Sequence, residues 1–115
     1  MSTSAGAVSG AAVSSAHAHD DVDAVPFDLD AGWRLHPRAA VRPESFGALL
    51  YHFGTRRLSF LKSPALRTVV ESLAEHPTAA DACRAAGISA SDRPLYARAL
   101  ATLAASEMIV SKDAQ

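Results

Sequence analysis

The chain between residues 31 and 62 alternates short apolar runs with turn signals, a pattern typical of short strands. Three such runs occur, at residues 39–42, 48–53 and 57–62. Pro43 should stop the first run and open a turn over residues 43–47, whereas Gly54 can supply a positive φ in the hairpin turn after the second. These features predict three short antiparallel strands.

The pattern of the third run predicts which of its side chains lie on the same face of the strand. Leu58 and Phe60 alternate with Arg57 and Ser59, so the two apolar side chains should share one pleat face. We expect that face to lie on the core and to pack against the first helix.

The second half of the chain has helical periodicity. Ser63 is a suitable N-cap before Pro64, and the following apolar residues are spaced by three and four. Thr78 begins a capping-box spacing for a short second helix that Gly87 closes. A third helix is predicted from about residue 93 to residue 106, and residues 108–110 could close the core. Strands followed by helices predict an α+β domain whose parts resemble a winged helix: a three-stranded antiparallel sheet, then three helices.

The N-terminal segment differs from the rest in composition. Residues 1–19 are rich in Ser, Ala and Gly, five aspartates follow before residue 31, and no Lys or Arg precedes Arg34. Such a segment buries too little apolar surface to offset its ordering entropy. We therefore predict a disordered acidic tail over residues 1–30, a folded domain over residues 31–111 and a C-terminal tail over residues 112–115. Only residues 25–27 of the N-terminal tail offer an apolar group that could dock.

Net charge, cysteine content and hydropathy narrow the class of protein and its cellular compartment. A net charge of −1 does not favour general affinity for nucleic acid. A single cysteine, Cys83, precludes an internal disulfide and suits a reducing compartment. No apolar run approaches the roughly 20 residues of a membrane-spanning helix, and no secretion signal is evident. These features predict a cytoplasmic protein without a membrane partner.

Candidate catalytic and metal-ligating residues form no convincing constellation. His17 and His19 lie beside two aspartates in the predicted tail, where a metal site would be unselective. The other histidines, His36, His52 and His76, are spread over separate elements without ligand spacing. Cys83 lies among alanines and is expected to be a core residue. We predict a non-catalytic chain without cofactor or metal.

Basic residues at the ends of the third run suggest a ligand. A last strand can form the edge of a sheet, where its unpaired backbone groups accept an added strand, and Arg57 and Lys62 would attract an acidic peptide. A solvated strand face is the plainer interpretation. Helices flanking Gly87 also resemble a helix-turn-helix, which leaves a winged-helix DNA-binding regulator as the alternative, although the third helix offers only Arg93 and Arg98 for phosphates.

Five segments of the chain form a distinctive set. The longest runs from Tyr51 to Pro64 (YHFGTRRLSFLKSP), and shorter ones are WRLHP from Trp33, VRPE from Val41, FGAL from Phe46 and ALATLA from Ala99. Together these segments resemble the mycofactocin biosynthesis chaperone family. The match covers about residues 31–110 and leaves out the tail.

This resemblance implies a RiPP recognition element, similar in fold to the pyrroloquinoline-quinone peptide chaperone. It implies that the leader of a mycofactocin precursor peptide adds as a strand to the third β-strand and lies against the third helix, and that a radical-SAM mycofactocin maturase receives it. Carried onto this sequence, the peptide-binding residues are Arg57, Leu58, Ser59, Phe60, Leu61, Lys62, Leu95, Arg98 and Thr102. Iron–sulfur clusters and the redox cofactor belong to the maturase and its pathway.

Overall fold

The computed structural model describes residues 13–15 and 27–113, and this part of the chain forms six strands and three α-helices. They follow in the order β1 (Val13–Ser15), β2 (Trp33–Leu35), β3 (Ala39–Glu44), β4 (Gly47–His52), β5 (Leu58–Leu61), α1 (Pro64–Ser72), α2 (Ala79–Ala85), α3 (Arg93–Ala105) and β6 (Ile109–Ser111). A 3₁₀ turn, Leu73–Glu75, continues from α1. The predicted α+β class, with antiparallel strands and three helices, is confirmed.

The strands form two antiparallel sheets. One has the strand order β1-β5-β4-β3, and the other pairs β2 with β6. The three predicted strands are β3, β4 and β5. The prediction of three strands in all was wrong: β1 extends the main sheet, and β2 pairs with β6 through Trp33 opposite Ser111 and Leu35 opposite Ile109. The apolar segment near the C-terminus thus closes the core as a strand.

Pro43 does not end its strand. It is paired with Ala48, and β3 continues to Glu44, which faces Gly47 across a two-residue loop. A strand at the edge of a sheet bonds to a neighbour on one side only, so a residue without an N–H is tolerated there. Gly47 has φ 150°, and a Cβ at this position would lie 2.1 Å from the carbonyl oxygen of Leu61.

The turn between β4 and β5 is built differently from the prediction. The positive φ belongs to Arg56 (φ 66°) and not to Gly54. The imidazole of His52 orders this turn, because its Nδ1 accepts hydrogen bonds from the backbone N–H groups of Gly54 and Thr55, both at 3.0 Å. Gly54 provides space instead, since a Cβ there would lie 2.9 Å from Cε1 of His52. Phe53, predicted to lie in the second strand, lies after β4 and is 57% exposed.

The faces of β5 are opposite to those predicted. Ser59 and Leu61 are fully buried, whereas Leu58 and Phe60 are half-buried on the other pleat face. The neighbouring strand shows why: Leu50, paired with Ser59, is fully buried, and Leu49, paired with Phe60, is only partly buried. The prediction that Leu58 and Phe60 point into the core was therefore wrong.

The core lies between the buried face of the main sheet and the helices. Its largest fully buried side chains include Leu50 and Leu61 from the sheet, Leu66 from α1 and Leu100 from α3. The two side-chain caps form as predicted. Ser63 Oγ accepts from the N–H of Leu66 at 3.2 Å, and Thr78 Oγ1 accepts from the N–H of Asp81 at 3.1 Å.

The folded part of the chain begins before residue 31. Phe27 packs on Trp33 with ring centroids 5.0 Å apart, and the indole N–H of Trp33 donates to the carbonyl oxygen of Asp28 at 2.9 Å. The carbonyl oxygen of Leu29 accepts from the N–H of Ala80 at 2.9 Å. Residues 13–15, also within the segment expected to be disordered, form β1. The rest of that segment, with the His17 and His19 hypothesis, and residues 114–115 of the predicted C-terminal tail lie outside the described residues.

Candidate functional site

The edge of β5 is the part of the fold that sequence analysis marked for peptide binding. The N–H of His52 donates to the carbonyl oxygen of Arg57 at 3.0 Å, so Arg57 faces β4. Backbone groups of successive residues in an antiparallel strand point to opposite sides. Ser59 and Leu61 therefore direct their N–H and C=O groups towards β4, and Leu58 and Phe60 direct theirs towards the other edge.

That edge is occupied in this structure. Strand β1 pairs antiparallel with β5 in the register Val13 to Leu61, Ser14 to Phe60 and Ser15 to Ser59. It also contacts α3. An extended segment can therefore pair with β5 while lying beside the third helix, in the place that the family resemblance indicates for a peptide.

The nine proposed peptide-binding residues fall into three groups. Leu58 and Phe60 have backbone groups on the edge that faces β1, whereas Ser59 and Leu61 are engaged in the core and with β4. Arg57 and Lys62 flank the strand, the first half-buried and the second exposed. On the third helix, Leu95 is half-buried and packs against the core, and Arg98 and Thr102 are exposed.

The helix residues of this set share one face of α3. Leu95, Arg98 and Thr102 are separated by three and four positions, a spacing that aligns side chains along a helix. Thr102 Oγ1 donates to the backbone carbonyl oxygen of Arg98 at 3.2 Å, and both residues are exposed. The opposite face of α3, which includes Leu100 and Leu103, is fully buried.

Two histidines that sequence analysis placed on separate elements come together. The rings of His36 and His52 have centroids 4.3 Å apart. Burial lowers the pKa of His52 below its ordinary value of 6.5, and the adjacent His36 lowers it further. Burial also lowers the pKa of His36, against the opposing charge of Glu107. Both effects favour neutral imidazoles, and the role they support is structural: His52 orders the β4–β5 turn next to Arg57.

Neither the cysteine nor the histidines form a catalytic or metal site in the described part of the chain. Cys83 is fully buried in the core, as predicted, and burial raises the pKa of its thiol, which disfavours a nucleophilic thiolate. Within residues 27–113 and 13–15, no group of three or more His, Cys, Asp or Glu side chains could hold a metal ion. No described helix is long and apolar enough to cross a membrane.

The third helix is poorly equipped for DNA. Arg93 is half-buried, and its guanidinium donates to the carbonyl oxygen of Ile88 at 3.5 Å instead of projecting outwards. Arg98 is the one exposed basic residue of α3. A helix in the major groove needs several base-reaching and phosphate-binding side chains. This geometry does not support the DNA-binding alternative.

The antiparallel sheets and the three helices define a small α+β domain. Comparison with known proteins then assigns the family. The chain belongs to the peptide chaperone MftB family, whose model matches residues 32–110.

Three curated relatives carry the name peptide chaperone MftB. The protein of Mycobacterium ulcerans (strain Agy99) is 59% identical over 88 residues, which are 76% of this chain and 81% of the relative. That of Mycobacterium tuberculosis (strain ATCC 25618 / H37Rv) is 56% identical over 91 residues, 79% of this chain and 84% of the relative. That of Mycolicibacterium smegmatis (strain ATCC 700084 / mc(2)155) is 55% identical over 86 residues, 75% of this chain and 84% of the relative. No solved structure matches the chain.

The resemblance identified from sequence motifs is thereby confirmed. The role stated in the relatives' names is that of a chaperone, which agrees with the prediction of a non-catalytic chain. What sequence analysis missed at the site is β1: its Val-Ser-Ser sequence has one apolar residue and no alternation that would mark a strand.

Proposed function

We propose that this protein binds the leader of the mycofactocin precursor peptide by strand addition to β5 and presents it to the radical-SAM mycofactocin maturase. One observation carries the proposal: in a member of the peptide chaperone MftB family, the edge of β5 accepts an extended segment beside α3. The fold assignment that goes with it is a winged-helix-like RiPP recognition element, formed by β3–β5 and the three helices.

Backbone groups provide the general part of the recognition. Phe60 offers one N–H and one C=O to an added strand, and Leu58 offers the next pair along the edge. Main-chain bonds of this kind are largely indifferent to the side chains of the ligand. They account for affinity towards an extended peptide and leave selectivity to the neighbouring side chains.

Side chains of the helix and of the strand ends provide the selective part. Leu95 presents a half-buried apolar surface on α3, and Thr102 and Arg98 present polar groups on the same face. Arg57 Nη1 is buried and has no hydrogen-bond partner among the described residues. A buried guanidinium N–H without a partner is unfavourable, so an acidic group on the ligand would satisfy it.

The remaining parts of the proposal follow from this role. The chaperone itself needs no cofactor, because the chemistry on the precursor belongs to the maturase. Its partners are the precursor peptide and the maturase, with no nucleic acid and no membrane, and the compartment is the cytoplasm. The lack of surface arginines on α3 beyond Arg98 agrees with the exclusion of nucleic acid.

Calorimetric titration tests the function. The protein is titrated with the precursor peptide and, separately, with duplex DNA at low and high salt. We expect saturable binding of the precursor and no binding of the duplex. A steeply salt-dependent interaction with duplex, with no heat from the precursor, would contradict the proposal, since counterion release makes DNA binding strongly dependent on salt.

A further inference from the structure

The chain places a segment of its own N-terminus on the edge proposed for the peptide. Strand β1 is the outermost strand of the main sheet on the β5 side. Ser14 lies opposite Phe60, the residue whose N–H and C=O point away from β4. The alternation of antiparallel bonding makes Ser14 and Phe60 a hydrogen-bonded pair. An incoming peptide strand would need those same two groups of Phe60.

Strand β1 and the residues that follow it also have the sequence features expected of the peptide ligand. The antiparallel register brings the C-terminal end of β1 to the end of β5 that adjoins Arg57. The chain continues from there, in sequence, into Asp20, Asp21 and Asp23. An extended segment followed by aspartates is the type of peptide that a basic strand end attracts.

The connection between β1 and the folded domain is short. Phe27 is held on Trp33, and residues 16–26 link it to β1. An extended chain spans about 3.3–3.6 Å per residue, so a link of this length can span at most about 40 Å. A tether of this kind keeps a segment near its site at an effective concentration on the order of millimolar. Pairing over only three residues is correspondingly easy to displace.

We propose that residues 13–15 act as an intramolecular competitor that covers the peptide site until a precursor leader displaces them. This inference rests on the proposed function of the β5 edge. A longer leader, which adds more main-chain bonds and reaches the side chains of α3, replaces β1. Short or poorly matched peptides do not, so the segment raises the selectivity of the site at the expense of its affinity.

Proline substitution in the full-length protein tests the competition. Ser14→Pro removes the N–H that pairs with Phe60 and leaves β3–β5 and the helices unchanged; Ser9→Pro, the same change outside β1, is the control. If β1 covers the site in about nine molecules in ten, Ser14→Pro should bind the precursor about tenfold more tightly than wild type. Ser9→Pro should bind as wild type does. Calorimetry gives the dissociation constants, and circular dichroism verifies the fold of each variant.

A second readout follows the edge itself. Amide hydrogen exchange of Phe60 should be faster in Ser14→Pro than in wild type, because the substitution weakens the β1 pairing and the carbonyl oxygen of residue 14 then protects the N–H of Phe60 for less of the time. A synthetic peptide of residues 8–20, added in trans, should bind Ser14→Pro and restore that protection.

The outcomes separate the two proposals. If the precursor binds wild type and Ser14→Pro equally tightly, or if the exchange of Phe60 does not change, the competitor is overturned while the peptide site stands. If the precursor binds neither protein, the proposed function fails and the competition fails with it.

Discussion

Phe60 and Leu49 are cross-strand partners on the face of the main sheet that points away from the helices. Neither is fully buried, and Phe60 has its ring centroid 6.2 Å from that of the exposed Phe46. Leu61, next in the strand, is fully buried on the opposite face. Leu61 therefore packs in the core, whereas Phe60 makes a cross-strand contact on the other face of the sheet.

Substitution at these two positions should give different losses of stability. Leu61→Ala leaves a cavity in the core and should cost about 2–5 kcal/mol. Phe60→Ala removes a half-buried cross-strand contact and should cost about 1 kcal/mol. Urea unfolding monitored by circular dichroism measures both. A loss at Phe60 equal to that at Leu61 would mean that the strand faces are assigned wrongly.

The second prediction concerns the N-terminal boundary of the folded domain and its effect on the free energy of unfolding. Removal of residues 1–26 should lower the free energy of unfolding by at most about 1.4 kcal/mol, the loss of a β1 pairing formed in about nine molecules in ten, since the deletion leaves Phe27 on Trp33. Phe27→Ala in the full-length chain should cost about 1–3 kcal/mol, because it removes the aromatic contact and loosens the segment that bonds to Ala80. Thermal unfolding compares the two. The opposite order, with the truncation more damaging than the substitution, would place the boundary earlier in the chain.

Stability should depend on pH through the histidine pair. The pKa values of His36 and His52 are lowered in the folded state from 6.5. The unfolded state therefore binds protons that the folded state does not, and the free energy of unfolding should fall as the pH drops below 6.5 towards the folded pKa values. The contribution of these two residues should fade over about one pH unit above 6.5, where the imidazoles are neutral in both states. Urea unfolding at about pH 7.5 and about pH 5.5 measures the difference.

Asparagine variants assign that pH dependence to the pair. His52→Asn retains an acceptor for the turn, and combining it with His36→Asn should reduce the loss of stability at the lower pH. His76→Asn, which changes a histidine on another element, is the control. An unchanged pH dependence in the double variant would show that other groups cause it.

Interactions between residues close in the sequence could be predicted from the sequence, whereas strand pairing between distant segments could not. The caps at Ser63 and Thr78 involve partners three residues away, so a short stretch of sequence contains the whole interaction. Strand β2 pairs with β6 across almost the entire domain, and three-residue strands carry too little pattern to be detected. The edge proposed for the peptide came from sequence segments that resemble a known family, whereas hydrophobic periodicity alone could only suggest it.

The error at β5 has a specific cause. Leu58, Phe60 and Leu61 place large apolar side chains on both faces of the strand, and the small Ser59 is the residue that the core accommodates, opposite Leu50. Alternation of hydrophobicity cannot choose between two such faces. The register with β4 determines which face of β5 is buried, and only the three-dimensional structure gives that register.

Charge at the ends of β5 should tune peptide binding. An ion pair near the surface contributes about 0–1 kcal/mol, so the loss of two in Arg57→Ala with Lys62→Ala should weaken precursor binding by up to about 2 kcal/mol, which is roughly thirtyfold. Adding Arg98→Trp, a bulky change at an exposed position of α3, should weaken it further without affecting the fold. Arg38→Ala with Arg42→Ala, a matched loss of charge at the far edge of the sheet, is the control for the double alanine variant. Calorimetry that finds wild-type affinity in the folded triple variant would place the groove elsewhere.

The central claim, strand addition at β5, is tested most directly by two substitutions at one residue. Phe60→Pro and Phe60→Ala both remove the aromatic ring, but only proline removes the N–H that points to the edge where β1 pairs. We expect both variants to fold by circular dichroism, Phe60→Ala to bind the precursor within a few-fold of wild type, and Phe60→Pro to lose measurable binding in calorimetry. Equal affinities of the two variants for the precursor would contradict strand addition at this edge.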